Sequence, residues 1–237
     1  MKRTLIIIFS IFLSLNIIST ANALTGAATK YFNTIHSIML CGAGSTSTSC
    51  VDPVVLGSTT DGKTFDLGSV TAGASAGSLG NIGKASPGQT YSFMQVILSK
   101  TFQIEGTAVN AGSTTCYTAS VANSGTATTG TTQAIGHATS SNKSLQIVKI
   151  ADDATLDTNM HGTNNLDGTT TGDAADADAG DHTYVAFITA LTTSFTMKPG
   201  VIPQMKIAFD LSSAVNFPAS NCTVSPSAPV VTVSFIN

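Results

Sequence analysis

The chain is 237 residues long, and only 10% of its residues are charged. Residues 24–237 contain eight lysines, no arginine and thirteen carboxylates, which gives this part a net charge of −5. An acidic chain repels a polyanion. Without arginine it also lacks the side chain that forms bidentate hydrogen bonds with phosphate or guanine, so nucleic-acid binding is excluded. The scarcity of charge and the abundance of Thr, Ser, Ala and Gly favour strands over helices built on Glu and Lys pairs.

The first 23 residues have the pattern of a secretory signal peptide. A basic start, Lys2-Arg3, precedes an apolar run and the small-residue sequence Ala21-Asn22-Ala23. The apolar run is shorter than the roughly 20 residues that a membrane-spanning helix needs. We therefore expect residues 1–23 to be removed and residues 24–237 to be an exported protein, extracellular, at the cell surface or periplasmic, with no transmembrane segment.

Four cysteines predict two disulfides, because their number is even and the chain is exported. Three pairings are open. A short flexible loop separates Cys41 from Cys50 and favours a bridge across a hairpin, which leaves Cys116 to pair with Cys222. The second bridge would close a loop of about a hundred residues and stabilise the fold by about 4 to 5 kcal/mol in the chain-entropy model. No Cys-x-x-Cys spacing is present to indicate a zinc site.

Apolar runs bounded by Gly, Ser and Asp clusters predict about ten short strands and no helix. The predicted strands are 31–41, 54–57, 64–70, 91–98, 102–106, 145–150, 183–191, 195–197, 205–211 and 230–236. A change of phase near Ser99 indicates either a bulge or a turn between two of them. We expect a single all-β domain, a disulfide-stapled antiparallel β-sandwich of Ig-like or jelly-roll-like type. Two low-complexity segments, about 107–142 and 151–182, are expected to be surface insertions, and a two-domain split near Ser140 is the alternative.

Two sequence patterns resemble known proteins. Residues 86–91, Ser-Pro-Gly-Gln-Thr-Tyr, resemble the Pro-Gly-x-x-Tyr corner of fibronectin-III-like sandwiches, which implies a sandwich edge. The wider pattern consists of Tyr31, Leu40-Cys41, Cys50, Pro53, Leu56, Gly88-x-Thr90-Tyr91, Val96, Phe102-x-Ile104-x-Gly106 and Cys116. It is similar to uncharacterised secreted proteins of marine bacteria over roughly the first half of the mature chain. This second resemblance implies no function.

No catalytic constellation stands out in the sequence. Residues 73–77, Gly-Ala-Ser-Ala-Gly, match the nucleophile elbow, but the Gly- and Pro-containing segment after them does not suit the helix that the elbow requires. Glu105 is the only glutamate, so a glycosidase pair would depend on aspartates. The histidines are His36, His137, His161 and His182. They lack ligand-like spacing and are expected at the surface, and we expect no enzymatic activity.

An acidic loop is the best candidate for chemistry, because eight of the twelve aspartates lie in residues 151–182. The candidate calcium ligands are Asp167, Asp173, Asp176, Asp178 and Asp181. Carboxylate oxygens at short spacing suit Ca²⁺, which would offset the repulsion within the loop. The spacing is not that of an EF-hand, and a solvated acidic loop without a cofactor is the alternative.

The absence of a catalytic constellation and the apolar C-terminal strand favour a structural or adhesive surface protein that self-associates through this strand. The alternative is a sandwich module that binds a surface glycan or calcium through its two insertions. A serine hydrolase that uses Ser75 is the third hypothesis.

If the acidic loop binds calcium, millimolar Ca²⁺ should raise the melting temperature and protect residues 151–182 from proteolysis, because a ligand of the native state alone stabilises by mass action. Asp173→Asn, Asp176→Asn and Asp178→Asn together should abolish both effects. Thermal melting and limited proteolysis measure them. An unchanged parent protein would mean that the loop is only solvated.

Overall fold

The computed structural model describes residues 25–68, 79–119, 134–135, 143–150, 159–167, 182–217, 222–226 and 229–236. These residues form thirteen strands, a 3-10 turn at Ile82–Lys84 and no α-helix. The strands are β1 (Thr25–Gly26), β2 (Ala28–Gly42), β3 (Val54–Asp66), β4 (Thr90–Val109), β5 (Thr115–Tyr117), β6 (Ala134–Ile135), β7 (Gln146–Lys149), β8 (Met160–Thr163), β9 (Tyr184–Thr196), β10 (Gln204–Asp210), β11 (Val215–Asn216), β12 (Thr223–Pro226) and β13 (Val230–Ile236). Within this part of the chain, no helix has the length and apolar character to cross a bilayer. The predicted signal peptide lies outside the described residues.

The larger sheet is antiparallel and has the order β3-β2-β4-β9-β8, with β5 and β7 also pairing with β4. Its central strands β2 and β4 are 15 and 20 residues long. Both strands contain continuous apolar runs, as expected for strands with neighbours on both edges and both faces covered. The main core lies on one face, and a smaller cluster of Met39, Ile97 and Ala186 lies apart from it.

Two further sheets accompany the larger one. The smaller sheet consists of only two antiparallel strands, β10 and β13. A separate four-stranded sheet has the order β1-β11-β12-β6 and is also antiparallel.

Aromatic contacts join the two sheets. Phe195 of β9 stacks on Phe235 of β13 with ring centroids 4.0 Å apart, and Tyr91 of β4 stacks on Phe195 at 6.4 Å. Tyr91 is fully buried, and its hydroxyl accepts a hydrogen bond from the backbone N–H of Ser86 at 3.0 Å. The segment that resembles a Pro-Gly-x-x-Tyr corner therefore anchors the entry into β4.

The predicted all-β, sandwich-like fold is confirmed, and the differences concern strand boundaries. The predicted strand 54–57 and the start of the predicted strand 64–70 both belong to β3, because the chain bulges at residues 59–62 and then rejoins the same ladder. β3 ends at Asp66, and residues 69–70 lie outside the described residues. The phase change near Ser99 is an irregularity of pairing within the continuous strand β4. Of the two predicted alternatives, the bulge is therefore confirmed and the turn is wrong. The break predicted in β9 is likewise absent.

Both segments predicted as insertions contribute strands to the sheets. Residues 107–109 end β4, β5 pairs with them, and β8 pairs with β9. The disulfides join Cys41 to Cys50 and Cys116 to Cys222, the same pairs that the loop spacing favours. Cys116 is fully buried, so the first segment begins in the core rather than on the surface.

Replacing Tyr91 with Phe keeps the ring but removes the oxygen that accepts the Ser86 N–H. We expect Tyr91→Phe to lower the free energy of unfolding by about 1 kcal/mol, measured by urea denaturation. Tyr117→Phe is the control, because the Tyr117 hydroxyl makes no hydrogen bond within the described part of the chain and its loss should cost less than about 0.5 kcal/mol. Equal effects of the two substitutions would contradict a specific role for the corner.

The two disulfides should differ in their contribution to stability, because they close loops of different length. The sequence separation is 106 residues for Cys116–Cys222 and 9 for Cys41–Cys50. Replacing the first pair with Ala should lower the free energy of unfolding by about 5 kcal/mol, and the second pair by about 2.5 kcal/mol. Guanidinium denaturation of the two double variants tests this order, and the reverse order would refute it.

Candidate functional site: the edge of the C-terminal strand

β13 is an edge strand of the smaller sheet. It pairs with β10 over its whole length, from Val230 opposite Asp210 to Ile236 opposite Gln204. Among the described residues, no strand is hydrogen-bonded to its other edge. An edge of this kind presents a row of backbone N–H and C=O groups to any strand that approaches it.

The side chains of β13 alternate strictly between core and solvent. Val233 is only 1% exposed, and Val231 and Phe235 on the same face pack against the main core. On the opposite face, Val230 is 65% exposed and Ile236 is 51% exposed. Thr232 and Ser234, which lie between them, are also exposed. The strand thus stabilises its own sandwich with one face and leaves the other face open.

The free edge of β13 carries none of the features that prevent edge-to-edge pairing. Proteins protect such edges with charges, prolines or bulges. β3, an edge strand of the larger sheet, has two of these features: the charged residues Asp61 and Lys63, and the bulge at Gly62. β13 has no charged residue, no proline and no glycine between Val230 and Ile236.

The neighbouring strand β10 does carry charge. Lys206 lies in its middle, and Asp210 lies at its end. A hydrogen bond from the Ser212 backbone N–H to the Asp210 carboxylate, 2.9 Å long, holds the pKa of Asp210 below its usual value. Asp210 is therefore ionised at neutral pH. β10 thus carries charged side chains, whereas β13 carries none.

The residues of β13 are symmetric in chemical type about Val233. Thr232 and Ser234 are both hydroxylated, Val231 and Phe235 are both apolar, and Val230 and Ile236 are both β-branched. An antiparallel copy with Val233 opposite Val233 would place each residue against one of its own type. The edge is thus complementary to itself, which is the requirement for a two-fold symmetric interface.

A half-open cleft of about 280 Å³ lies beside the end of this edge. It is lined by the last residues of β9, by the segment that contains Lys198, Val201 and Pro203, and by Phe235. Ile202 in the same segment is 75% exposed. The cleft therefore lies where the core-facing side chain of Phe235 meets the end of β9 and the connection to β10.

The structure brings few of the predicted site residues together. Asp173, Asp176, Asp178 and Asp181 lie outside the described residues, and so does Ser75. Asp167 is exposed at the end of a described segment. In the part of the chain that the structure describes, no group of three or more His, Cys, Asp or Glu side chains is arranged to hold a metal ion.

Glu105 belongs to an ion pair on the surface rather than to a cleft. Its carboxylate accepts hydrogen bonds from Lys30 at 3.1 Å and from Thr29 at 3.0 Å. Burial raises the pKa of Glu105, but these two hydrogen bonds and the positive charges of Lys30 and Lys143 together outweigh it, so that the pKa lies below its usual value. Through these contacts Glu105 on β4 is linked to Thr29 and Lys30 on β2.

His36 is buried, so the prediction that it lies at the surface is wrong. Its Nε2 atom is 2.8 Å from the Ser99 Oγ atom, a contact that sequence reasoning missed. The two residues are 63 positions apart, and strand periodicity carries no signal for such a pair.

The chain matches no known family model, no curated protein and no solved structure.

Proposed function

We propose that the chain is an exported structural protein that self-associates through the free edge of β13. The observation that carries the proposal is an uncharged, unprotected edge whose residues are symmetric in type about Val233. Two disulfides fit an oxidising compartment outside the cytoplasm, and so does the predicted signal peptide. A surface role is consistent with the hydroxylated outer faces of the strands.

The partner in this proposal is a second copy of the same chain. Antiparallel pairing of two β13 strands would join two β10–β13 ribbons into one four-stranded sheet. Each exposed Val230 would then meet an Ile236 of the other copy, and burial of such side chains stabilises by up to about 1.5 to 3 kcal/mol each. The symmetric interface closes on itself, so the dimer is the unit from which any larger assembly would be built.

Deleting the C-terminal strand does not test the proposal, because β13 has a second role inside the monomer. Its removal would leave β10 without its only partner in the described structure, and it would take Val233 and Phe235 out of the core. Loss of association would then follow from unfolding. A sharper test changes only the outward side chains.

Thr232→Lys combined with Ser234→Lys should produce a monomer. In the proposed pairing each new lysine faces a lysine of the other copy, and like charges directly opposite each other destabilise a strand pair. The parent protein should show a concentration-dependent dimer in sedimentation velocity, whereas the variant should sediment as a monomer at all concentrations. The melting temperature of the variant monomer should stay within a few degrees of the parent, because both side chains are exposed.

Ser58→Lys combined with Thr60→Lys is the matched control. These are also exposed hydroxylated residues at alternate positions of an edge strand, but on β3 of the larger sheet. This variant gains the same charge and should associate like the parent. A monomeric parent, or equal loss of association in both variants, would overturn the proposal.

A further inference from the structure

Irregularities of three neighbouring strands converge at His36. Between Ile35 and Ser37 the register of β2 shifts against both β3 and β4, so His36 is left out of both ladders. Bulges of this kind redirect a side chain and are over-represented beside active sites. Here the bulge directs the imidazole toward Ser99 of β4 and Thr60 of β3.

The two hydrogen bonds of the imidazole define its tautomer. The Nδ1 atom lies 3.1 Å from the Thr60 carbonyl oxygen, which can only accept, so Nδ1 carries the proton. In the neutral ring, Nε2 is then unprotonated and accepts a hydrogen bond from the Ser99 hydroxyl at 2.8 Å. A hydroxyl, a base and a third group that orients the base are the parts of an activated serine nucleophile.

The packing around the ring holds it in this orientation. His36 is only 6% exposed, and the Tyr184 ring packs against it at a tilt of 51° with centroids 4.5 Å apart. On β3, a side chain at position 62 would come within 2.8 Å of the His36 Cε1 atom, and Gly62 has a positive φ of 69° that favours glycine. Ser99, in contrast to the histidine, is partly exposed.

We infer that Ser99 is a nucleophile activated by His36 and that the site takes small esters with good leaving groups. The Ser99 oxygen attacks the ester carbonyl while its proton passes to His36 Nε2. Nε2 then returns the proton to the leaving alcohol as the ester C–O bond breaks. Water hydrolyses the acyl-serine by the same route, giving the carboxylic acid and restoring the Ser99 hydroxyl. The partner of Nδ1 is a neutral carbonyl rather than a carboxylate, which stabilises an imidazolium less and favours esters over amides.

A fluorophosphonate probe tests the inference on the full chain. The Ser99 oxygen would attack phosphorus and expel fluoride, which leaves a stable adduct that tandem mass spectrometry assigns to a residue. The adduct should form on Ser99 in the parent protein, disappear in Ser99→Ala, and form at least about 100-fold more slowly in His36→Gln. Ester turnover should fall in the same two variants.

Ser92 provides the control, because it lies on the same strand and its hydroxyl donates to the Gly42 carbonyl instead of a histidine. Ser92→Ala should label like the parent. Mapping the adduct in the parent needs no substitution, so a misfolded variant cannot hide the result. No adduct, an adduct on another serine, or labelling of Ser99 that His36→Gln leaves unchanged would overturn the inference.

Discussion

The contact between Phe195 and Phe235 is the interaction on which the sandwich depends. It joins β9 of the larger sheet to β13, and Tyr91 extends this contact to the central strand β4. Stacked aromatic pairs stabilise by about 0.5 to 1.5 kcal/mol beyond their buried area. Because Tyr91 is also held by the Ser86 N–H, the entry of β4, the end of β9 and the end of β13 are positioned by one continuous set of contacts.

This arrangement gives β13 two roles that constrain each other. Its inward side chains must be apolar because they close the core, and its backbone edge stays free because the smaller sheet is only two strands wide there. A charge on the outward face would protect that edge without disturbing the core, as Asp61 and Lys63 do on β3. The absence of such a charge on β13 is not required by folding, and the proposal of self-association rests on this absence.

Sequence periodicity was sufficient for elements whose neighbours are regular. The alternation of Val231, Val233 and Phe235 predicts the exposed and buried faces of β13, and loop length favours the Cys41–Cys50 bridge. It failed where pairing is irregular. The turn-like residues around Gly62 suggested the end of a strand, but β3 continues, because hydrogen bonds to β2 resume beyond the bulge.

The same limit explains why the His36–Ser99 pair was missed. A bulge arises from a mismatch between strands, so no single segment records it. The chain is rich in hydroxyls, and some of them link neighbouring strands, as Thr34 and Thr64 do at 2.8 Å. What distinguishes Ser99 is its partner, an imidazole whose proton is held on the far nitrogen by the Thr60 carbonyl. The chemistry of a hydroxyl in this fold is therefore decided by strand register, through the residue that the register brings next to it.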